Sequence, residues 1–185
     1  TLNILFVSNN HTKSSYENGI PILLYHHVSD EKTDLPELTV SSKIFNYHMK
    51  KLKDNGFSTI TAEDLLKYMS NEPVLLPKKP IIITFDDGYE DNYIYAFPIL
   101  KKHDFKAIIF IVGVNIDADK RLSQKQMKEM ADYGIEFGSH SITHSSLTSL
   151  PQKELVKEIK NSKKQIEKVI KKEVSLFSYP YGYYN

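Results

Sequence analysis

The feature that most constrains the fold is the apolar run of residues 80–85, PIIITF, which leads directly into Asp86, Asp87 and Gly88. A continuous run of this kind, rich in β-branched side chains, is typical of a parallel strand that is buried on both faces. Parallel strands need long crossover connections, and these usually place helices against the sheet. The run therefore predicts an α/β domain with polar residues at the carboxyl end of a central strand.

Segments with strand-like and helix-like hydrophobic spacing alternate along the rest of the chain. We predict further strands at residues 21–28, 57–60, 106–113, 135–140 and 175–180. We predict helices at residues 42–55, 61–69, 91–103, 123–133 and 151–172. This alternation predicts a parallel sheet with functional residues gathered at the carboxyl ends of its strands.

The amino-terminal region differs from the rest of the chain. Residues 1–19 are polar and rich in Asn and Ser after the short apolar start LNILFV, so we predict a loosely attached arm followed by one domain, residues 20–185. The apolar runs are far shorter than the roughly 20 residues of a membrane span. The chain starts with Thr1 rather than Met, which suggests a removed leader and an extracellular or cell-surface location.

The charge and the absence of cysteine narrow the possible partners. The 24 basic and 23 acidic residues give a net charge of +1, which offers no electrostatic basis for binding nucleic acid or an anionic membrane. With no cysteine in the chain, a transition metal would have to be held by imidazole and carboxylate groups. A neutral substrate fits this composition better than a charged one.

Two groups of potential metal ligands follow predicted strands. Asp86 and Asp87 have side chains on opposite sides of the backbone, so one could bind metal while the other moves protons. His140 and His144 lie four residues apart and would converge on one ion if the segment formed a helical turn. Taken singly, Asp-Asp-Gly is equally typical of a turn or helix N-cap, and a histidine pair at this spacing often has no functional role.

Three motifs occur in a fixed order, each after a predicted strand: TFDDG at residues 84–88, HSITH at 140–144 and YPYG at 179–182. Together they resemble the polysaccharide deacetylase family, also known as the NodB-homology domain or carbohydrate esterase family four. The resemblance extends from about Pro21 to the end of the chain. It implies a (β/α) barrel-like fold and a hydrolase that removes N-acetyl groups from poly-N-acetylglucosamine, peptidoglycan or a chitin-like polymer.

The resemblance also implies roles for individual residues. Asp86 matches the catalytic base, and Asp87, His140 and His144 match the three ligands of a divalent metal. The metal would be Zn²⁺ first, with Co²⁺, Ni²⁺ or Mn²⁺ also compatible with these ligands. Tyr181 matches the residue whose backbone N–H helps to hold the oxyanion.

The segment YHHV at residues 25–28 resembles biofilm-associated poly-N-acetylglucosamine deacetylases, in which a histidine near the amino-terminal side of the domain is the general acid. That match assigns the role to His26. His27 fits equally well as a partly buried histidine that caps the strand. In the third motif, the family's usual arginine is replaced by Phe177, so Asp86 must be oriented by another group or be less well tuned as a base.

The sequence stops soon after the third motif, where the family's barrel normally continues, so we expect either a truncated domain from a longer chain or a barrel that is incomplete at its carboxyl terminus. Several tyrosines near the motifs could stack on sugar rings, although core packing explains each one singly. They are Tyr89, Tyr179, Tyr181, Tyr183 and Tyr184.

Two alternative functions remain open at this stage. The first is a non-catalytic carbohydrate-binding protein that keeps the deacetylase fold without efficient chemistry. The second is a metal-dependent hydrolase of phosphate esters. The second fits less well, because the sequence lacks both the extra ligands of a two-metal phosphatase and a glycine-rich phosphate-binding loop.

Overall fold

The computed structural model describes residues 3–7 and 19–185, and its centre is a sheet of mainly parallel strands. The strands are β1 (Asn3–Val7), β2 (Ile20–Tyr25), β3 (His27–Val28), β4 (Thr39–Val40), β5 (Ser58–Thr59), β6 (Pro80–Phe85), β7 (Ile108–Ile111) and β8 (Glu136–Ser139). The α-helices are α1 (Ser42–Asp54), α2 (Ala62–Met69), α3 (Phe97–His103), α4 (Gln124–Tyr133) and α5 (Gln152–Ile170).

The main sheet has the strand order β1-β2-β6-β7-β8, and β5 also pairs with the start of β6. All of these pairs are parallel except β1 with β2, and β3 and β4 form a separate small parallel pair. Among the described strands the sheet does not close on itself. The fold is therefore the expected α/β architecture, an incomplete (β/α) barrel-like sheet with helices packed against it.

Strand β6 is buried along its whole length, as its apolar sequence predicts. Ile81, Ile83 and Phe85 belong to a large core that also includes the buried residues of α1, α3, α4 and α5. Ile82 points to the opposite face and joins a second core with α2. Because both faces are covered, the polar residues that follow β6 lie at the carboxyl end of the strand and not on a solvated face of the sheet.

The predicted helices are all present, and their ends follow from local chemistry. Helix α2 begins at a capping box between Thr61 and Asp64, and α4 begins at one between Ser123 and Gln126. The helix predicted for residues 91–103 contains a wide π-helical turn, Asn92–Ala96, before α3. Pro98 lies just after this π-helical turn, where the regular α-helical hydrogen-bonding pattern is already interrupted.

The strand predicted at residues 175–180 is the main difference. This segment makes only a single parallel bridge between Phe177 and Ser139. Ser139 donates its backbone N–H to the Leu176 carbonyl and accepts a hydrogen bond from the Ser178 N–H, and β8 ends at this same residue. The predicted first strand is likewise divided at His26 into β2 and β3.

Part of the amino-terminal region, residues 3–7, is among the described residues and forms a strand. Residues 3–7 form β1, which pairs antiparallel with β2, whereas the sequence interpretation placed them in a loosely attached arm. The backbone groups along the edge of β2 provide hydrogen-bonding partners for this segment, which a sequence pattern alone does not reveal. The other positions of the predicted arm up to residue 18 lie outside the described residues. Within the described ranges, no helix has the length and apolar character needed to cross a bilayer.

Candidate metal centre

The motif residues converge at one end of the sheet because they follow neighbouring parallel strands. His26 follows β2, Asp86 and Asp87 follow β6, and His140 follows β8, with His144 four residues later. The strand register places the ends of β2 and β6 side by side, since Tyr25 pairs with Phe85. The carboxyl end of a parallel sheet is the usual location of functional sites in α/β folds.

Asp87, His140 and His144 form a group of three potential metal ligands. Each offers one ligand atom, and these atoms all lie within 4.8 Å of one another. Asp87 Oδ1 is 3.3 Å from His144 Nε2 and 3.6 Å from His140 Nε2. Two ligands at ~2.0–2.1 Å from one tetrahedral zinc ion would be ~3.4 Å apart, so this spacing suits a single cation.

The two histidines converge through an irregular loop and not through the helical turn that we predicted. Ser141 and His144 both have positive φ, 64° and 60°, which reverses the chain more tightly than a helical turn does. The Ser141 hydroxyl accepts a hydrogen bond of 2.9 Å from the His144 N–H and so stabilises this conformation. Asp87 also has positive φ, 73°, and Gly88 follows it at 70°.

Glu158 of α5 holds the loop between the two histidines. Its carboxylate accepts hydrogen bonds from the backbone N–H groups of Ile142 and Thr143, each at 2.9 Å, and from the Thr143 hydroxyl at 2.9 Å. A carboxylate that accepts several such bonds is a strong anchor, because the charge strengthens each bond. No sequence motif indicated this residue, which lies in a helix among many other charged residues.

The protonation of the two imidazoles favours a cation between them and Asp87. His140 Nδ1 lies 2.8 Å from the Ser178 carbonyl oxygen, so Nδ1 must carry the proton, and Nε2 is left as an acceptor. Burial lowers the pKa of both His140 and His144, although the charge of Asp87 opposes this shift. Neutral imidazole nitrogens therefore face a carboxylate oxygen, and a cation would satisfy these acceptors together.

Asp86 lies beside this group in a different environment. It is 7% exposed, and its Oδ2 accepts a hydrogen bond of 3.3 Å from the Ser178 hydroxyl. Its Oδ1 is buried and has no hydrogen-bonding partner among the described residues. Burial raises the pKa of Asp86 to about 7, with His26 lowering it and Asp87 raising it further. The two adjacent aspartates thus have distinct surroundings, as their neighbouring positions predict.

The segment before the third motif supplies a hydroxyl to Asp86 where the family usually has an arginine. Phe177 packs its ring against Tyr179, with centroids 5.2 Å apart, and the next residue, Ser178, makes the contact with Asp86. Ser178 therefore contacts Asp86 through its side chain and His140 through its backbone. The sequence indicated that another group must orient the base, but it did not identify Ser178.

The two histidines of YHHV face different surroundings. His26 is close enough to Asp86 for its charge to lower the pKa of that carboxyl. His27 is 8% exposed, and its Nδ1 lies 2.5 Å from Asp91 Oδ2. The His27 ring also packs on Tyr89, with centroids 3.5 Å apart. The structure thus places His26 near Asp86, whereas His27 is paired with Asp91.

The tyrosines near the site fall into two groups. Tyr89 is only 9% exposed, so it is not available to stack on a sugar ring. The four tyrosines of the third motif and the chain end are exposed: Tyr179, Tyr181, Tyr183 and Tyr184. Tyr181 has positive φ, 62°, and its ring contacts that of His144 with centroids 4.7 Å apart. Tyr181, the second of these exposed tyrosines in the chain, therefore lies directly beside the metal-ligand group.

Arg121 contacts Asp87, and the sequence did not lead us to expect this contact. Its Nη1 donates a hydrogen bond of 3.2 Å to the backbone carbonyl of Asp87, and its guanidinium lies 4.0 Å from the centre of the Tyr89 ring. Arg121 is the single arginine of the sequence, and the other 23 of its 24 lysine and arginine residues are lysines. An arginine suits this position because its planar guanidinium can stack on a ring and donate hydrogen bonds at the same time. Its being the single arginine was the one sign in the sequence that pointed to this residue.

Comparison with known protein families decides the classification. The family model described as polysaccharide deacetylase matches residues 75–185, which is more than half of the chain and includes all three motifs. This chain belongs to the polysaccharide deacetylase family. The resemblance drawn from TFDDG, HSITH and YPYG is therefore confirmed.

Relatives of this deacetylase-family protein agree with that result. One relative is YxkH of Bacillus subtilis (strain 168), whose name describes it as a polysaccharide deacetylase. It is 40% identical over 170 residues, which cover 90% of this chain and 58% of YxkH. The poly-β-1,6-N-acetyl-D-glucosamine N-deacetylase of Staphylococcus aureus is 28% identical over 91% of this chain and 67% of that protein. The chain thus spans between half and two thirds of the length of these relatives.

Solved structures show the same fold. The Streptococcus pyogenes deacetylase PplD, solved in complex with acetate, is 32% identical to this family member and matches it with a TM-score of 0.83. The match covers 90% of this chain and 75% of PplD. The predicted NodB-type α/β fold is confirmed by this similarity.

Proposed function

We propose that this member of the polysaccharide deacetylase family is a metal-dependent hydrolase that removes N-acetyl groups from an N-acetylglucosamine-containing polymer. The observation that carries the proposal is the convergence of Asp87, His140 and His144 beside the buried carboxyl of Asp86. A ligand group without an adjacent base would bind metal but would have no means to move a proton. Here the two functions lie on consecutive residues.

Asp87, His140 and His144 would hold the cation. A carboxylate and two neutral imidazoles form the kind of three-ligand set that leaves a position open for water or substrate. Zn²⁺ is our first choice, and Co²⁺, Ni²⁺ or Mn²⁺ suit the same ligands. When bound, the metal would polarise the acetyl carbonyl and make water acidic enough to supply a nucleophile near neutral pH.

Asp86 is the proposed general base. Its pKa of about 7 lies near the working pH, where a carboxyl can both accept and release a proton. Its Oδ2 lies 3.9 Å from His140 Nε2, so the carboxyl borders the ligand group and would accept the proton of the attacking water there. The Ser178 hydroxyl would keep the carboxyl in position by holding Oδ2.

His26 and Tyr181 complete the proposed reaction. The backbone N–H of Tyr181 would donate a hydrogen bond to the oxygen that gains negative charge as water adds to the acetyl carbon. His26, when protonated, would give its proton to the sugar nitrogen as the carbon–nitrogen bond breaks. The products are acetate and the free amino sugar, so atoms and charges balance.

The name of the Staphylococcus aureus relative supports poly-β-1,6-N-acetylglucosamine as the first substrate to test, ahead of peptidoglycan and chitin-like polymers. YHHV supports the same choice through its resemblance to enzymes that act on this polymer. Such a polymer lies outside the cell, so the proposal places this protein in an extracellular or cell-surface location.

Acetate release from β-1,6-linked N-acetylglucosamine oligomers tests the proposal. The protein would be depleted of metal and then loaded separately with Zn²⁺, Co²⁺, Ni²⁺ or Mn²⁺. We expect release with at least one metal and none after depletion. Intact oligomer binding without release under all four metals would contradict the proposal and support the non-catalytic carbohydrate-binding alternative.

A further inference from the structure

Asn92 is a buried polar residue outside the proposed metal-ligand group. It is 1% exposed and begins the π-helical turn that precedes α3. Turns of this rare kind recur at functional sites. Both backbone groups of Asn92 are used locally, because its N–H donates to the Tyr89 carbonyl at 3.1 Å and its carbonyl accepts from the Phe97 N–H. The side-chain amide is the part of Asn92 that reaches a distant segment of the chain.

The amide of Asn92 donates two hydrogen bonds. Its Nδ2 lies 2.8 Å from the backbone carbonyl oxygen of His26 and 2.9 Å from Asp91 Oδ1. A carbonyl and a carboxylate only accept hydrogen bonds, so the amide must turn its nitrogen and not its oxygen towards them. The oxygen, Oδ1, is buried and has no hydrogen-bonding partner among the described residues.

Packing alone does not account for an amide at this position. A leucine has a similar size and would leave no buried oxygen unpaired, so it would suit a purely structural role better. What the amide provides, and a leucine cannot, is the pair of donated hydrogen bonds. One of them fixes the backbone of His26, which lies 66 positions earlier in the chain.

His26 lies at a break between two strands. The parallel register of β2 with β6 ends at Tyr25, and that of β3 with β4 begins at His27. Among the described residues, no side chain forms a hydrogen bond with the His26 imidazole. The described part of the chain therefore fixes this ring through the backbone, where the Asn92 amide holds the carbonyl.

Asp91 extends the same set of contacts along the segment. Its Oδ2 lies 2.5 Å from His27 Nδ1, and its Oδ1 accepts a hydrogen bond of 3.3 Å from the Val28 N–H as well as the bond from Asn92. Two consecutive residues at the start of the π-helical turn thus hold three consecutive residues that follow β2. Asn92 is the member of this pair that contacts His26.

We propose that Asn92 is a positioning residue, which holds the backbone of His26 and so keeps its imidazole in place to give a proton to the leaving sugar nitrogen. This inference rests on the proposed function, because that function assigns proton donation to His26. Small displacements of a reacting group can lower a rate by ~10²-fold, so a residue that acts only through the backbone can still have a large effect.

Two substrates with different leaving groups test this role. Asn92→Leu keeps the size of the side chain and removes both donors. Acetate release from the β-1,6-linked oligomer needs a proton on the leaving nitrogen, whereas the nitrophenolate of 4-nitrophenyl acetate leaves without one. We expect kcat for the oligomer to fall by about tenfold to hundredfold with little change in KM, and hydrolysis of the ester to stay close to that of the wild type. Equal losses on both substrates would overturn the proposal.

A double variant shows whether Asn92 acts through His26. In the His26→Ala background the proposed acid is absent, so adding Asn92→Leu should cause no further loss of oligomer turnover. If Asn92→Leu slows His26→Ala by the same factor as it slows the wild type, Asn92 does not act through His26 and the proposal is wrong.

Thr84→Val is the matched control. Thr84 is buried, and its hydroxyl donates a hydrogen bond of 3.0 Å to the Leu23 carbonyl of β2, the strand that leads to His26. The substitution removes a bond of the same kind without removing the bond to the His26 carbonyl. It should lower the melting temperature but leave turnover of both substrates close to that of the wild type. An oligomer-selective loss as large as that of Asn92→Leu would contradict the proposal.

Nuclear magnetic resonance of the histidine rings supplies a readout that does not depend on turnover. The His26 signals, assigned by their loss in His26→Ala, should shift in Asn92→Leu and not in Thr84→Val, while those of His140 and His144 stay in place. This pattern would support the proposal even if the wild type releases no acetate. Unchanged His26 signals in Asn92→Leu would overturn it even if acetate release confirms the proposed function.

Two measurements cover the case in which Asn92→Leu does not fold. Asn92→Ala also lacks the amide but cannot overpack the site, and it would replace Asn92→Leu throughout. In the wild type, the side-chain amide hydrogens of Asn92 should exchange slowly with solvent, because both are donated inside the protein. Fast exchange of these hydrogens would show that the contact with His26 is not maintained, and would overturn the proposal.

Discussion

His140 Nδ1 donates a hydrogen bond of 2.8 Å to the backbone carbonyl of Ser178, which fixes the imidazole with Nε2 facing Asp87. The hydroxyl of the same serine holds Asp86 Oδ2 at 3.3 Å. One residue therefore positions both a proposed metal ligand and the proposed base. The two contacts use different atoms, so substitutions can separate them.

The adjacent aspartates should separate metal binding from proton transfer. Asp87→Ala should abolish metal binding, because it removes one of three ligands. Asp86→Asn should keep the metal but lower kcat by ~10²–10⁴-fold, the usual contribution of a general base. Metal content by mass spectrometry and acetate release measure the two effects. Equal metal content in wild type and Asp87→Ala would contradict the assignment.

Ser178→Ala should reduce turnover without loss of metal. The substitution removes the hydroxyl that holds Asp86 but leaves the carbonyl that orients His140. A hydrogen bond to a charged group is worth ~1.5–3 kcal/mol, so we expect kcat to fall by about tenfold to hundredfold, with little change in KM. Ser178→Thr keeps a hydroxyl and should restore much of the rate. Loss of metal in Ser178→Ala would show a structural role instead.

The histidines of YHHV should have different effects. His26→Ala should lower kcat by ~10²-fold or more, because the proposed acid is lost. His27→Ala should mainly lower the melting temperature, since it leaves the partly buried carboxylate of Asp91 without its imidazole partner. Kinetics and thermal unfolding on both variants check this. If His27→Ala has the greater loss of turnover, the assignment of the acid to His26 is wrong.

Glu158→Ala should weaken metal binding from outside the ligand group. The variant loses three hydrogen bonds to Ile142 and Thr143 in the loop between His140 and His144. We expect unfolding free energy to fall by ~1–3 kcal/mol, measured in urea, and the metal Kd to rise.

Glu154→Ala is the matched control for that experiment. It removes the same charge one turn earlier on α5, and the Glu154 side chain is exposed, with no hydrogen bond or ion pair among the described residues. Its stability and metal affinity should stay close to those of the wild type. Equal effects from the two substitutions would indicate a general charge effect of the helix and not support of the loop.

Much of the fold could be predicted because its determinants are local. The apolar run that forms β6 and the helical spacing of α5 each occupy a few consecutive turns or residues, so their periodicity is visible in the sequence. The segment at residues 175–180 was predicted less well. Its single bridge lies at Ser139, the last residue of β8, and the end of that strand is not a property of the segment itself.

The sequence by itself determined the family, the order of strands and helices, and the chemical types of the candidate ligands, because these follow from residue identity and short-range spacing. Only the tertiary structure decided which atoms meet. Ser178 is 38 residues from His140 and 92 from Asp86, and Arg121 is 34 from Asp87. The burial of Asp86 and the orientation of the His140 imidazole arise from such distant contacts, and no local pattern encodes them.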